Sequence, residues 1–262
     1  MPPHDGSGTD RPALSAADVD HFRRTGWLLT DPLDGDVAAS LARWVDEVST
    51  VEDEQLLRHR ELTESGPRLC RTEGFATRHE GLGRLLSSGP LLAQASALLG
   101  EPAVLYKEKI NHKAPGGAGN APHQDAPAYP FVDVHVSCMV AVDDADLDNG
   151  CLEVVSGAHH RLLPTDQRGC VRPDVVATLD WVPVPVRAGQ ALWFHSRTPH
   201  RSGPNRSRRE RRAIFPTYNA ASEGDLRAAY YRRKTEELEE RADGEGRAAV
   251  SLIGDFEGRV LT

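Results

Sequence analysis

The sequence has no apolar run approaching the roughly 18 residues that a membrane helix requires. Its first residues, Met1-Pro-Pro-His-Asp-Gly-Ser-Gly-Thr-Asp10, carry neither the basic nor the apolar part of a signal peptide. A cytoplasmic protein with no membrane partner is therefore expected. Cysteine is scarce: Cys70, Cys138, Cys151 and Cys170 show no CxxC spacing and no paired framework. Neither a thiolate zinc site nor a secreted disulfide scaffold is supported. Basic charge is not in excess either, and a formal charge of -8 argues against a nucleic-acid surface, which needs clustered Lys and Arg to displace counterions from phosphates. Lysine is the rarest charged residue, with four against 27 arginines, and Lys107, Lys109 and Lys113 fall within seven residues of one another. Repeats at solenoid periods are missing as well.

What remains is an ordinary globular composition, 39% hydrophobic and 27% charged over 262 residues, for which one folded unit is the default. Residues 1–12, rich in Pro, Gly, Asp and Ser, are expected to be a disordered tail. Residues 13–262 are read as a single domain, helical over about 13–100, β-rich over about 101–220, and closed by a C-terminal helix and tail at 221–262. Ser15 and Asp18 form a helix N-cap signal before Val19 and Phe22, and Gly26 supplies the stop. Val37, Leu41, Trp44 and Val48 recur at helical spacing over Asp36 to Val48, and a third helix is expected from Pro90 to Leu99. After Gly100 the period shortens toward alternation. Strands are predicted at Ala103 to Ile110, Val132 to Val142, Cys151 to Val155, Val182 to Val186, Ala191 to Phe194 and Ala213 to Tyr218. Six short strands with turn signals between them indicate a sandwich or barrel, not a strand-helix alternation. A last helix is expected from Gly224 to Arg241, with Val250 to Ile253 returning as an edge strand.

The most informative residues are His123-Gln124-Asp125 and, 75 positions beyond Asp125, His200. Two imidazoles and one carboxylate leave three cis positions open on a metal, which suits an Fe(II) that must take a bidentate cosubstrate and dioxygen together. At a strand end, His123 and Asp125 point to the same side because side-chain direction repeats every two residues. Alone, the HxD pair reads equally well as a loop histidine beside a turn-forming Asp. His59-Arg60-Glu61 has the same spacing but is read as charged helix or linker, where such side chains diverge.

Four stretches together carry a resemblance to a known family: Lys107-Glu108-Lys109-Ile110-Asn111; His123-Gln124-Asp125; Asn149-Gly150-Cys151-Leu152 with Ser156-Gly157-Ala158-His159; and His200-Arg201-Ser202-Gly203-Pro204-Asn205 through Arg211-Arg212. In their order and spacing, the chain from about Ser15 to Arg232 resembles the phytanoyl-CoA dioxygenase-like family of Fe(II)/2-oxoglutarate oxygenases. The resemblance implies a mainly β fold, a double-stranded β-helix (jelly roll, cupin-like), with flanking helices. It implies His123, Asp125 and His200 as iron ligands, and Fe(II), 2-oxoglutarate and O2 as the reacting set. Arg211 would hold the distal carboxylate of 2-oxoglutarate with its planar fork. Ser202 would donate a hydroxyl to the same carboxylate, Asn111 would touch the cosubstrate from the opposite strand, and Arg212 would turn away. Related halogenases have a small residue where Asp125 stands, so halogenation is not expected. The implied reaction is hydroxylation of a C–H bond with release of succinate and CO2; desaturation, ring closure and epimerisation share the same chemistry.

For the substrate pocket the candidates are Lys107, Lys109, Gln124, Tyr129 and Phe215. If Asn111 faces the interior, Lys107 and Lys109 share its face and call for an anion; the alternative is a solvated pair protecting an edge strand. The stretches around His123 and Lys107 to Gly119 resemble the subgroup acting on small polar metabolites, including 2-aminoethylphosphonate, which makes an anionic or zwitterionic small molecule the expected substrate. The rings of Tyr129 and Phe215 would border it or pack in the core. The loop Pro115 to Ala121 reads as a mobile rim. His195 is assigned a core-edge role, His159 and His160 a turn, and His135 is left as a pocket candidate. Other readings kept open are the same chemistry on a natural-product intermediate, a zinc hydrolase, and a jelly-roll protein that binds without turnover.

Overall fold

The computed structural model describes residues 13–129, 131–242, 250–251 and 253–261; the expected tail at 1–12 lies outside them. Helix α1 (Ala16–Thr25) opens on a capping box, in which the Ser15 hydroxyl accepts from the Asp18 N–H at 3.2 Å and the Ser15 N–H donates to the Asp18 carboxylate at 2.9 Å. Gly26, at φ 82°, ends it. Then follow β1 (Trp27–Thr30), α2 (Gly35–Thr50), β2 (Leu57–Thr63), β3 (Gly66–Glu73), α3 (Glu80–Ser87) and α4 (Gly89–Leu99). The centre of the chain comprises β4 (Ala103–Lys113), β5 (Asn120–His123), β6 (His135–Ala141), β7 (Leu152–Val155), the single turn α5 (Pro173–Val176), β8 (Trp181–Val184), β9 (Ala191–His195), β10 (His200–Ser202) and β11 (Arg211–Ala220). Helix α6 (Arg227–Ala242) and β12 (Val260–Leu261) complete it.

Two antiparallel sheets form the jelly roll. The larger has the order β1-β9-β6-β11-β4-β3-β2-β12 and the smaller β5-β10-β7-β8. Strand alternation sorts the larger sheet's residues between two cores. Val136, Cys138 and Val140 of β6, Ile110 of β4, Trp193 of β9, and Ile214 and Tyr218 of β11 pack outward against Phe22, Leu41, Leu82, Leu86 and Leu91 of the helices. Leu41, Leu82, Leu86 and Leu91 are wholly buried, and truncating any one to Ala would cost about 2–5 kcal/mol. The intervening residues, Met139, Ala141, Leu192, Phe194, Ala213 and Phe215, face the smaller sheet and meet Leu152, Val154 and Val184. At the other end of this inter-sheet space the apolar residues give way to charged ones.

The structure departs from the sequence expectations in the N-terminal part and at the C-terminal edge. The first hundred residues hold three strands besides their helices. Strands β2 and β3 are rich in Arg, His and Glu, so neither shows apolar alternation; they form because β3 pairs with β4 (Arg71↔Asn111, Thr72↔Ile110, Glu73↔Lys109) and β2 pairs with β3. His59 and Glu61 are therefore on a strand and not on a helix or linker. Helix α3 has an unusual cap, the His79 ring nitrogen accepting from the Leu82 N–H at 3.1 Å. The C-terminal edge strand is Val260–Leu261, paired with Glu61 and Arg60. No strand forms among the described residues of 250–253, where Val250 is buried instead. All four cysteines are free and buried, and no helix among the described residues is long and apolar enough to cross a membrane.

Candidate functional site

His123 is the last residue of β5, and Asp125 stands two residues on, where the chain turns into a 3-10 segment at Ala126–Ala128. His200 is the first residue of β10 and the Cα partner of His123 in the β10–β5 ladder. Among the described residues this is the one group of three or more His, Cys, Asp or Glu whose ligand atoms all lie within 4.8 Å of one another. The Nε2 atoms of His123 and His200 are 3.8 and 3.9 Å from Asp125 Oδ1. Each Nδ1 faces a main-chain carbonyl, His123 that of Ala121 at 2.7 Å and His200 that of Thr198 at 3.0 Å. A carbonyl only accepts, so each ring donates from Nδ1 and turns Nε2 toward the other ligands, the orientation a metal needs. The Ser137 hydroxyl donates to Asp125 Oδ2 at 2.9 Å, fixing the carboxylate with Oδ1 toward the imidazoles. Burial, with the His123 ring beside it, lowers the His200 pKa to about 4. Burial alone would raise Asp125, but His200, Lys109, Lys107 and His123 hold it well below the usual carboxylate range. The donor set thus fits a divalent transition metal with an open face.

Beside the triad is a pocket lined largely by polar and charged side chains. Arg211, Ser202 and Asn111 line one part of it, and Lys107, Lys109 and Phe215 another. Arg211 is 2% exposed; its Nη2 donates to the Gly150 carbonyl at 2.7 Å and its Nε has no acceptor. Among the described residues it forms no ion pair, and burial lowers its pKa to about 10. A buried guanidinium with an idle donor fits an incoming carboxylate. Gly150 is required here: it sits at φ 77°, and a Cβ would come 2.2 Å from the Gly203 carbonyl. Arg212 turns to the opposite face, where it meets Asp143 through two 2.8 Å contacts. The Ser202 hydroxyl accepts from Lys113 Nζ at 2.9 Å and donates to Asn120 Oδ1 at 3.3 Å. Asn111 Oδ1 accepts from Arg71 Nε at 3.1 Å.

Lys107, Lys109 and Asn111 all reach this interior from alternate positions of β4. Neither lysine forms an ion pair among the described residues; Lys107 Nζ lies 4.5 Å from the Tyr129 ring centre and Lys109 Nζ 5.5 Å from that of Phe215. Burial, then the neighbouring Lys109 ammonium, pulls the Lys107 pKa well below the usual lysine range, and burial followed by Arg71 lowers that of Lys109. A bound anion would reverse both.

A second pocket shares Lys107, Lys109, His123, Asp125 and Asp255 with the first. Tyr129 lines it, edge-on to Tyr106 and Tyr230. Its remaining walls come from residues that sequence reasoning missed: Arg71 and Glu73 of β3, Lys234 of α6, and Asp255 near the C-terminus. Arg71 and Glu73 stand at alternate positions of β3, the same pattern that singled out Lys107 and Lys109, but it was masked by the reading of this segment as non-strand. Asp255 has no local signal at all.

Gln124 is not a pocket residue. Between His123 and Asp125, alternation turns its side chain the other way, where it donates to the Arg161 and Arg197 carbonyls and accepts from the Leu163 N–H at 2.8 Å. The loop before β5, read as a mobile rim, is hydrogen-bonded to the body of the fold: Gly116 N–H donates to the Asn205 carbonyl, Asn205 N–H to the Gly117 carbonyl, and Ala118 N–H to Glu61. His159 is buried against Gly26 and 5.2 Å, ring to ring, from His195; it does not solvate its turn. His135 is wholly buried beside Tyr129, with no partner for either ring nitrogen among the described residues.

Comparison with known proteins places this geometry. The family model for phytanoyl-CoA dioxygenase (PhyH) matches residues 10–213. The methylphosphonate hydroxylase of Gimesia maris is 43% identical over 251 residues, covering 94% of this chain and 96% of the relative. A 2-aminoethylphosphonate dioxygenase from an uncultured bacterium is 42% identical over 185 residues, 69% of this chain and 71% of the relative. Among solved structures, the non-heme alpha ketoglutarate dependent epimerase SnoN from nogalamycin biosynthesis superposes with a TM-score of 0.67 at 26% identity, over 78% of this chain and 82% of that one.

Proposed function

Because the chain belongs to the phytanoyl-CoA dioxygenase family and is an Fe(II)- and 2-oxoglutarate-dependent dioxygenase, we propose that it hydroxylates a C–H bond of a small organophosphonate. The leading compound is 2-aminoethylphosphonate or a close analogue, with succinate and CO2 as co-products. The observation that carries this reading is the pair of lysines, Lys107 and Lys109, that line the pocket beside the triad, Lys107 buried, with no carboxylate paired to either among the described residues. Two phosphonate-acting relatives above 40% identity support it.

His123, Asp125 and His200 would hold the iron, and iron bound there supplies dioxygen activation coupled to 2-oxoglutarate decarboxylation. Arg211 grips the distal carboxylate of 2-oxoglutarate, with Ser202 and Asn111 on the same wall. Lys107 and Lys109 bind the phosphonate oxygens as compact point charges, which a tetrahedral oxyanion accepts from several directions. Tyr129 and Phe215 bear against the lysine side chains and keep water from the carbon skeleton. Binding energy from a remote phosphonate thus fixes which C–H bond faces the metal.

The test is an aerobic incubation of the iron-loaded protein with 2-oxoglutarate and 2-aminoethylphosphonate, followed by 31P NMR and succinate analysis. A new phosphonate signal and succinate in equal amounts are expected. Succinate at the same slow rate with and without any phosphonate would refute the substrate class.

A further inference from the structure

Asp255 lies beyond residues 10–213 matched by the family model, yet it reaches the centre of the molecule and lines both cavities. It is held firmly. Its main-chain carbonyl accepts from the Ala121 N–H at 2.7 Å, the Gly254 N–H before it donates to the Arg168 carbonyl at 2.7 Å, and its Oδ2 accepts from Asn120 Nδ2 at 2.8 Å. Its Oδ1 is buried and has no donor among the described residues, and the whole residue is 2% exposed. In the same cavity Glu73 presents a second buried oxygen without a donor, Oε2, while its Oε1 is taken by Lys234. Leaving such an acceptor dry and unpaired costs about 1–3 kcal/mol, more for a charged group. Lys107 and Lys109, which line the same pockets, do not relieve this, since neither comes within ion-pair distance of Asp255 or Glu73 among the described residues and both lie over aromatic rings.

We infer that Asp255 is a specificity-determining residue whose Oδ1 accepts a hydrogen bond from the amino group of a zwitterionic aminoalkylphosphonate. The inference rests on the phosphonate reading above and deepens it. In this pose Lys107 and Lys109 receive the phosphonate and Asp255 receives the ammonium, with Glu73 Oε2, whose Oε1 faces Lys234 and Arg71, as a second acceptor. An ammonium has three N–H donors, enough for both idle carboxylate oxygens. A simple alkylphosphonate has none and leaves them bare, and sites built around a buried polar partner discriminate strongly against analogues that lack it.

The decisive comparison is between 2-aminoethylphosphonate and propylphosphonate, in which a methyl replaces the ammonium at nearly the same size. Calorimetry on the anaerobic Fe(II)·2-oxoglutarate protein should give a Kd about 100-fold lower for the amino compound. In Asp255→Asn, which keeps the shape and removes the charge, that preference should fall to within about fivefold. Equal affinity of the unaltered protein for the two compounds overturns the inference without needing any variant to fold. So does an undiminished preference in Asp255→Asn. If neither phosphonate binds, the substrate class itself is wrong and the inference falls with it.

Discussion

His200 is the ladder partner of His123: their Cα atoms are paired between β10 and β5, and their ring centres are 4.2 Å apart. Backbone register thus brings together two ligands that lie far apart in the chain. His200→Ala should reduce 2-oxoglutarate-dependent succinate formation by about 10³-fold or more. The lost hydrogen bond to Thr198 costs only about 1 kcal/mol, so far-UV circular dichroism should stay native. Succinate formation at the original rate would remove His200 from the ligand set.

Among the described residues the Arg211 side chain makes one hydrogen bond, to Gly150, and keeps its Nε idle in a buried position. Arg211→Ala should raise the KM for 2-oxoglutarate by about 50-fold or more, and Arg211→Lys by about tenfold, because an ammonium keeps the charge but not the fork. Initial rates against 2-oxoglutarate concentration measure both. An unaltered KM in the Ala variant assigns the carboxylate to another residue.

Lys109 stands over Phe215 with no carboxylate paired to it among the described residues. Lys109→Gln should raise the KM for the phosphonate by about 10- to 30-fold, the loss of one charge-assisted contact, while the KM for 2-oxoglutarate changes by less than about threefold. Matched changes in the two constants would place Lys109 on the cosubstrate instead.

His135 predicts an acid sensitivity of the fold. Burial pushes its pKa from 6.5 down to about 3; the Asp125 charge opposes this, and Lys107 and His195 reinforce it, while Tyr129 packs on the ring. Between these two values the unfolded chain binds a proton that the folded protein refuses. Its contribution is therefore fully present above pH 6.5 and is lost as the pH falls toward 3, by at most about 1.4 kcal/mol per pH unit. Urea midpoints at pH 7 and pH 5 should differ less in His135→Leu than in the unaltered protein. An equal difference in the two proteins would mean that His135 plays no part in this loss.

How much of this could be read from the sequence depended on whether the signal was local. The strands that build the two inner cores have apolar residues at alternate positions, so β4, β6, β7, β8, β9 and β11 were placed within a few residues. The HxD pair is legible because its two teeth are adjacent and His200 sits in a recognisable run. Strands β2 and β3 were not legible: all their buried residues but Cys70 are polar or charged, namely Glu61, Thr63, Arg71, Thr72 and Glu73, which break the apolar pattern, and Arg71 and Glu73 line the site. Gln124 was misassigned because adjacency to two ligands in sequence means the opposite face on an extended chain. Asp255 lies 130 residues beyond Asp125 and enters the site only through the closure of the C-terminal segment.

The central claim is that one site holds Fe(II), 2-oxoglutarate and a phosphonate together. An anaerobic visible-absorption titration tests it most directly: Fe(II) and 2-oxoglutarate are added first, then 2-aminoethylphosphonate. A charge-transfer band that appears with the cosubstrate and shifts on adding the phosphonate is the predicted result. A band that ignores the phosphonate at saturating concentration would contradict the claim.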